Sequence, residues 1–210
     1  MSRGLGDVYK RQGQYHGSMS ISDALLNSWN IPAITTFQEV KKAAGSDAII
    51  KDMESVGIDM SDQDKELSDT YAIGGWKTGV SPVELAGAYA TIANNGNYIE
   101  SHTINYVEVV ETNKTVKIDE ELQKNVTQSI GEDVSFMIRE TMLSYSSSTT
   151  GSYSSLSGLD NVGAKTGTSN WDSTSPYVKA GKSRDLWMTA YTPDYTCSVW
   201  MGSVSYTHLT

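Results

Sequence analysis

The sequence predicts an α/β chain of the α+β type, an antiparallel sheet packed with helices, and three observations carry that expectation. Helical segments marked by capping signals recur through the first 143 of the 210 residues. A short hairpin rich in β-branched residues interrupts them. From residue 163 onward the apolar residues alternate as in three consecutive strands.

The elements follow in chain order. Ser20 and Asp23 form an S-x-x-D start before "ALLN", where the Ser20 oxygen can accept a free N–H of the first turn. Pro32 disfavours helical geometry at Ile31 and suits the first turn of a new helix, so "SWNIP" reads as a loop between two helices. In "SDAIIKDMESV", residues 46–56, Ala48, Ile49, Met53 and Val56 recur at helical spacing, and Gly57 ends the pattern. This is a surface helix with one buried stripe.

"GVSPVELAGAYATIANNG" carries a fuller set of signals: Ser81 as cap, Pro82 as first helical residue and Glu84 as reciprocal capping partner. Leu85, Ala88, Tyr89 and Ile92 make the expected buried face, and Gly96 the stop. "INYVEVVE", the turn "TNKT" and "VKI" predict a hairpin. A helix is expected over Asp133–Leu143, with Phe136, Met137, Glu140 and Leu143 along one broken face. Residues 144–158, "SYSSSTTGSYSSLSG", are too polar and small to fill a core and read as a mobile loop. "DLWMTAYTPDYTCSVWMG" then gives two strands joined at Thr192-Pro193-Asp194.

Composition narrows the function classes. A net charge of −9 with scattered Lys and Arg argues against nucleic acid, whose phosphates need clustered cations. The lone cysteine, Cys197, excludes an internal disulfide and reads as a small buried strand residue. No segment approaches the ~18–20 apolar residues of a membrane-spanning helix. His16, His102 and His208 lack metal-ligand spacing, so neither a metal site nor a cofactor is expected.

Two Lys-Thr-Gly triplets remain, in "WKTGVSP" and "GAKTGTSN". The first lies in the entry loop of a capped helix, without strand pattern, and reads as structural. The second begins the three-strand region, where a wall that pairs with an extended substrate belongs. Acyl transfer by a serine enzyme needs a nucleophile, oxyanion donors, a proton relay and a grip on the substrate. Lys165 offers charge, Thr166 and Thr168 hydroxyls and N–H groups, and Gly167 room for a close backbone. Ser28-Trp29-Asn30 adds a hydroxyl that can relay a proton and an amide that both donates and accepts.

"GSMSISDALLNSWNIPAI", "IGGWKTGVSPVELAGAYATIANNG", "GAKTGTSN" and "DLWMTAYTPDYTCSVWMG", in this order, resemble the transpeptidase domain of bifunctional, class A penicillin-binding proteins over roughly residues 13–203. The resemblance implies the penicillin-binding protein and serine β-lactamase type of fold. It also implies roles: Ser28 relays protons, Asn30 holds the stem-peptide amide, and Lys165 tunes the relay and attracts the substrate carboxylate. Thr168 binds that carboxylate and lends its N–H to the oxyanion hole, with Thr166 and Gly167 in the same wall. Peptidoglycan stem peptides and β-lactams are the implied ligands, acting at the extracytoplasmic face of a bacterial membrane.

The family's third motif, S-x-x-K, is missing, since no serine here has lysine three residues later. The chain alone is therefore expected to be inactive and to belong to a longer protein that carries the nucleophile and the membrane anchor. In that reading the fold is truncated on its N-terminal side, with one sheet edge uncovered. Residues 1–12 and 204–210 fit neither the family nor any element and are expected to be non-native tails. A serine β-lactamase or D,D-carboxypeptidase piece is the alternative within the fold. A noncatalytic muropeptide-binding module is the alternative outside enzymes.

Overall fold

A computed structural model describes residues 17–146, 156, 158–170 and 183–202. In chain order these form α1 (Ile21–Leu26), α2 (Asn30–Ala44), α3 (Ser46–Ser55), α4 (Pro82–Ala93), β1 (Asn97–Tyr98), β2 (Tyr106–Val109), β3 (Lys114–Lys117), α5 (Ile118–Leu122), β4 (Thr127–Gln128), α6 (Glu132–Ser146), β5 (Gly163–Asn170), β6 (Ser183–Tyr191) and β7 (Thr196–Gly202). Strands β5, β6 and β7 make one antiparallel sheet in that order, β2 pairs with β3, and β1 with β4. The expected α+β arrangement is what the chain adopts.

Local chemistry explains the helix starts. The Ser20 hydroxyl accepts the Asp23 N–H at 3.0 Å and donates to the Asp23 carboxylate at 2.7 Å. At α4 the full capping box forms: Glu84 N–H donates to Ser81 Oγ at 3.2 Å, and Ser81 N–H donates to the Glu84 carboxylate at 2.8 Å. Burial pushes the Glu84 carboxyl upward, but the bonds from Ser81 and from the Asp59 N–H outweigh it and hold the group below its ordinary 4.5.

The helical layer closes over one core. Val56, Ile58, Met60, Leu67, Tyr71 and Ala88 are buried together, with Phe37, Ile49, Ile50, Met53 and Trp76 packed around them. Polar ties fix its rim: Lys41 Nζ donates to the Leu67 carbonyl at 2.8 Å, and Leu67 N–H to Ser46 Oγ at 3.1 Å. The end of α4 is bound to α6, because Ser135 Oγ donates to the Ile92 carbonyl at 2.7 Å and Arg139 donates to the Ala93 carbonyl at 3.2 Å. Helix α6 packs on β5, and α4 packs on β6 and β7. The sheet is thereby fixed against α4 and α6, and α6 in turn packs on α1, the helix that ends just before Ser28.

Several expectations change. Helix α2 begins at Asn30, so Pro32 is its third residue and the connecting loop shrinks to Asn27–Trp29. The most buried face of α4 is Gly87, Ala88 and Thr91, because small residues permit close approach; Leu85, Tyr89 and Ile92 are only half-buried. On α6, Ser135 and Met142 are buried, whereas Phe136 and Met137 stay 53% and 58% exposed, so periodicity picked the wrong face there. Cys197 is exposed rather than buried, since it lies on the sheet face opposite the one that α4 covers. Helix α6 also runs on through Ser146, into the segment expected to be a loop. Residues 147–155 and 157 of that segment and both terminal stretches lie outside the described residues.

Among the described residues β7 pairs only with β6, and Leu186, Val199 and Met201 remain exposed.

Candidate active site

Helix α1 ends in a way that aims one hydroxyl. Trp29 N–H donates to the Ala24 carbonyl and Ser28 N–H to the Leu25 carbonyl, each at 3.0 Å, which is the paired hydrogen-bond pattern of a Schellman stop. That stop needs a left-handed residue at the position Ser28 occupies, and Ser28 has φ of 53°. Glycine is the usual occupant, and an L-residue there costs ~1–2 kcal/mol. Serine in this place gives up stability and gains an exposed hydroxyl held by a rigid backbone. Substituting Ser28→Gly is accordingly expected to raise the stability of the folded chain by up to ~1 kcal/mol while removing the hydroxyl, which urea unfolding measures directly. A loss of stability would contradict the strained-cap account.

The partner of that hydroxyl arrives from the sheet. Lys165 is the third residue of β5, paired with Thr189 of β6, and its ammonium donates to Ser28 Oγ and to the Thr166 carbonyl, the latter at 3.0 Å. Two motifs 137 residues apart in sequence thus meet in one hydrogen bond. Asn30 is half-buried at the first turn of α2, two residues beyond Ser28. Thr166, Gly167 and Thr168 continue β5 past Lys165, and Thr168 is exposed where a ligand can reach it.

Gly163 and Tyr191 explain why β5 can lie so close to its neighbours. A Cβ at Gly163 would stand 2.3 Å from the Tyr191 ring, so only glycine fits opposite that buried aromatic. The Tyr191 hydroxyl, without a hydrogen-bond partner among the described residues, is pushed up to about 12 by burial. It is therefore neutral at any physiological pH and serves packing, against Tyr89 at a ring distance of 6.5 Å.

The other Lys-Thr-Gly triplet is built into the loop before α4. Trp76 Nε1 donates to the Tyr71 carbonyl at 3.2 Å, Lys77 N–H donates to Gln63 Oε1 at 3.1 Å, and the Gln63 amide donates to Thr78 Oγ1 at 2.7 Å. Lys77 does not point freely to solvent: its ammonium pairs with Asp64 at 2.5 Å, and that hydrogen bond holds it above its ordinary value. Every polar group of the triplet described here serves the loop, none the serine.

What the sequence did not reveal was the left-handed backbone at Ser28. A serine after "LLN" has no compositional mark of a Schellman stop; only a glycine would have shown it.

Comparison with known proteins gives the chain its class. The family described as the penicillin binding protein transpeptidase domain matches residues 2–209, and the chain belongs to that family. Among individual relatives, penicillin-binding protein 1A/1B of Bacillus subtilis (strain 168) is 34% identical over 194 residues, 90% of this chain and 20% of that protein. Penicillin-binding protein 1F of the same organism is 31% identical over 190 residues, 90% of this chain and 24% of its own length. The fold is also that of PonA1 from Mycobacterium tuberculosis, solved in complex with penicillin V, at a TM-score of 0.71 and 23% identity over 92% of this chain and 50% of that one. The chain spans about a fifth to a quarter of the length of these curated relatives.

Proposed function

We propose that this chain supplies the proton-relay and substrate-docking part of a serine D,D-transpeptidase site, in a bacterial protein that cross-links peptidoglycan stem peptides at the outer face of the cell membrane. The observation that carries the reading is the hydrogen bond from Lys165 to Ser28, which joins the edge strand to the helix end. A hydroxyl can accept a proton on one lone pair while giving up its own, so Ser28 can pass a proton between an attacking serine and a leaving amine. The Lys165 charge stabilises the transient negative charge on that path and attracts the carboxylate of a peptide or β-lactam. Asn30 holds the stem-peptide amide, while Thr166, Gly167 and Thr168 form the wall, with Thr168 contributing its hydroxyl to the carboxylate and its N–H to the oxyanion. The attacking serine itself belongs to an S-x-x-K motif that these 210 residues do not contain.

That missing motif also favours a second reading, a noncatalytic module that binds muropeptides. Both readings place the ligand on β5, and one experiment tests that placement. The 15N-labelled chain is titrated with N-acetyl-D-alanyl-D-alanine and, as a control, its L,L isomer. Amide shifts at Ser28 and along 165–168 with the D,D peptide alone are expected. Shifts confined to 77–79, or none, would overturn the site assignment.

A further inference from the structure

We infer that Asp185 is a positioning residue for the substrate wall: its carboxylate ties the end of β5 to β6 and β7 and so sets where Thr168 presents its hydroxyl and N–H. This rests on the transpeptidase reading of β5 given above. The strand registers place Lys165, Gly167 and Ser169 on one face of β5, beside Thr189, Trp187 and Asp185 of β6, and then Ser198, Trp200 and Gly202 of β7. Each row is joined differently. Thr189 and Ser198 share a hydrogen bond of 2.9 Å, and Trp187 packs against Trp200 with ring centroids 6.3 Å apart. In the last row Asp185 uses both oxygens: one accepts the Ser169 hydroxyl, the other the Trp200 indole N–H at 3.1 Å.

A carboxylate suits this place because it is acceptor-only, with two oxygens that can face two neighbouring strands at once. Trp200 reaches it by lying over Gly202, where a Cβ would meet the ring at 2.4 Å. The Arg184 side chain, 3.6 Å from the same carboxylate and 60% exposed, adds little in water. The location gives the bonds their effect. The pairing of β5 with β6 shifts register between Ser169 and Asn170, so Ser169 ends the regular ladder. Strand ends fray unless anchored, and charge-assisted bonds are among the stronger anchors. The anchor sits one residue from Thr168 and about 13 Å along the strand from Lys165, so it governs the docking end of the wall rather than the relay.

The test uses the 210-residue chain titrated with N-acetyl-D-alanyl-D-alanine, followed by NMR, with thermal unfolding of each variant in parallel. Asp185→Ala is expected to weaken peptide binding about fivefold or more, the scale of one well-placed hydrogen bond, and to move the ligand-free Thr168 amide signal while leaving that of Lys165 in place. Asp185→Asn, which keeps an acceptor for Trp200, should recover part of the affinity. Ser198→Ala removes the neighbouring cross-strand bond and should lower stability with affinity kept within about twofold. Wild-type affinity in Asp185→Ala, or an equal loss in Ser198→Ala, overturns the inference. A wild-type chain that ignores the peptide refutes the transpeptidase reading instead; the ligand-free Thr168 and Trp200 indole signals then decide this inference, and their immobility in the variants overturns it. If Asp185→Ala does not fold, Asp185→Asn and Trp200→Phe carry the same comparison.

Discussion

A fluorescent penicillin leaves no covalent label on this chain after denaturing electrophoresis: that is the expected result, and its effect is all or none. Acylation needs a nucleophilic oxygen that loses its proton to a base as it attacks. No serine in the sequence has the lysine three residues later that the family uses for this task. Among the described residues Ser28 is the serine whose hydroxyl accepts a hydrogen bond from a lysine, the Lys165 ammonium. An ammonium that donates to the Ser28 oxygen cannot also take the proton this oxygen would have to lose in attacking a carbonyl. Reversible contact of a β-lactam with β5 survives denaturation in no case. A stable label mapped by peptide sequencing to any serine, and to Ser28 above all, would contradict the account.

The second large effect separates the two Lys-Thr-Gly triplets. Residues 17–202 spliced into a class A penicillin-binding protein that contributes an S-x-x-K serine give a chimaera in which acylation can be measured. There Lys165→Ala is expected to lower the second-order rate of penicillin acylation by about 10²–10³, the usual cost of losing a preorganised electrostatic group at the reacting centre. Lys77→Ala removes an exposed ion pair with Asp64 and should change that rate by no more than about twofold, because solvated pairs contribute ~0–1 kcal/mol and this one touches no reacting atom. Thermal unfolding of both variants separates lost chemistry from lost fold. A larger loss at Lys77 would mean that the wall lies on the other triplet.

The contrast between the triplets was legible because each sits in a local context that sequence expresses well. Ser81, Pro82 and Glu84 announce a helix entry through capping chemistry that involves only neighbours, and the capping box forms as expected. Alternation over 163–202 and the Thr192 turn likewise depend on local periodicity. The turn closes as read, with Thr192 N–H donating to the Tyr195 carbonyl at 2.7 Å. The bond between Ser28 and Lys165 is different in kind. The resemblance carried by Ser28-Trp29-Asn30 and Lys165-Thr166-Gly167 put both in one site, but nothing local gave the left-handed backbone that aims the hydroxyl.

Burial was the least legible property. On α6 the apolar Phe136 and Met137 face outward while Ser135 is fully buried, because Ser135 can give its hydroxyl to the Ile92 carbonyl and let two helices approach. Periodicity counts apolar residues and cannot see a polar one satisfied by a neighbouring backbone. On α4 small size matters more than hydrophobicity: Gly87 lets Ser101 approach where a Cβ would stand 2.7 Å from its hydroxyl, and Ala88 is buried against the Val56–Tyr71 cluster. Cys197 fails for a third reason: alternation fixes which residues share a face of β7, not which face the helices cover.

The central claim is that the edge-strand lysine and the helix-end serine act as one unit, and a double-mutant cycle tests it most directly. In the acylation-competent chimaera, penicillin acylation rates are measured for wild type, Ser28→Ala, Lys165→Ala and the double variant. Alanine at position 28 keeps the left-handed backbone burden and removes only the hydroxyl. If Lys165 works through Ser28, the double variant should lose no more than the worse single variant, a coupling of at least ~1–3 kcal/mol. If instead the two losses multiply, the residues act independently, and the hydrogen bond between them is not what makes this a catalytic site.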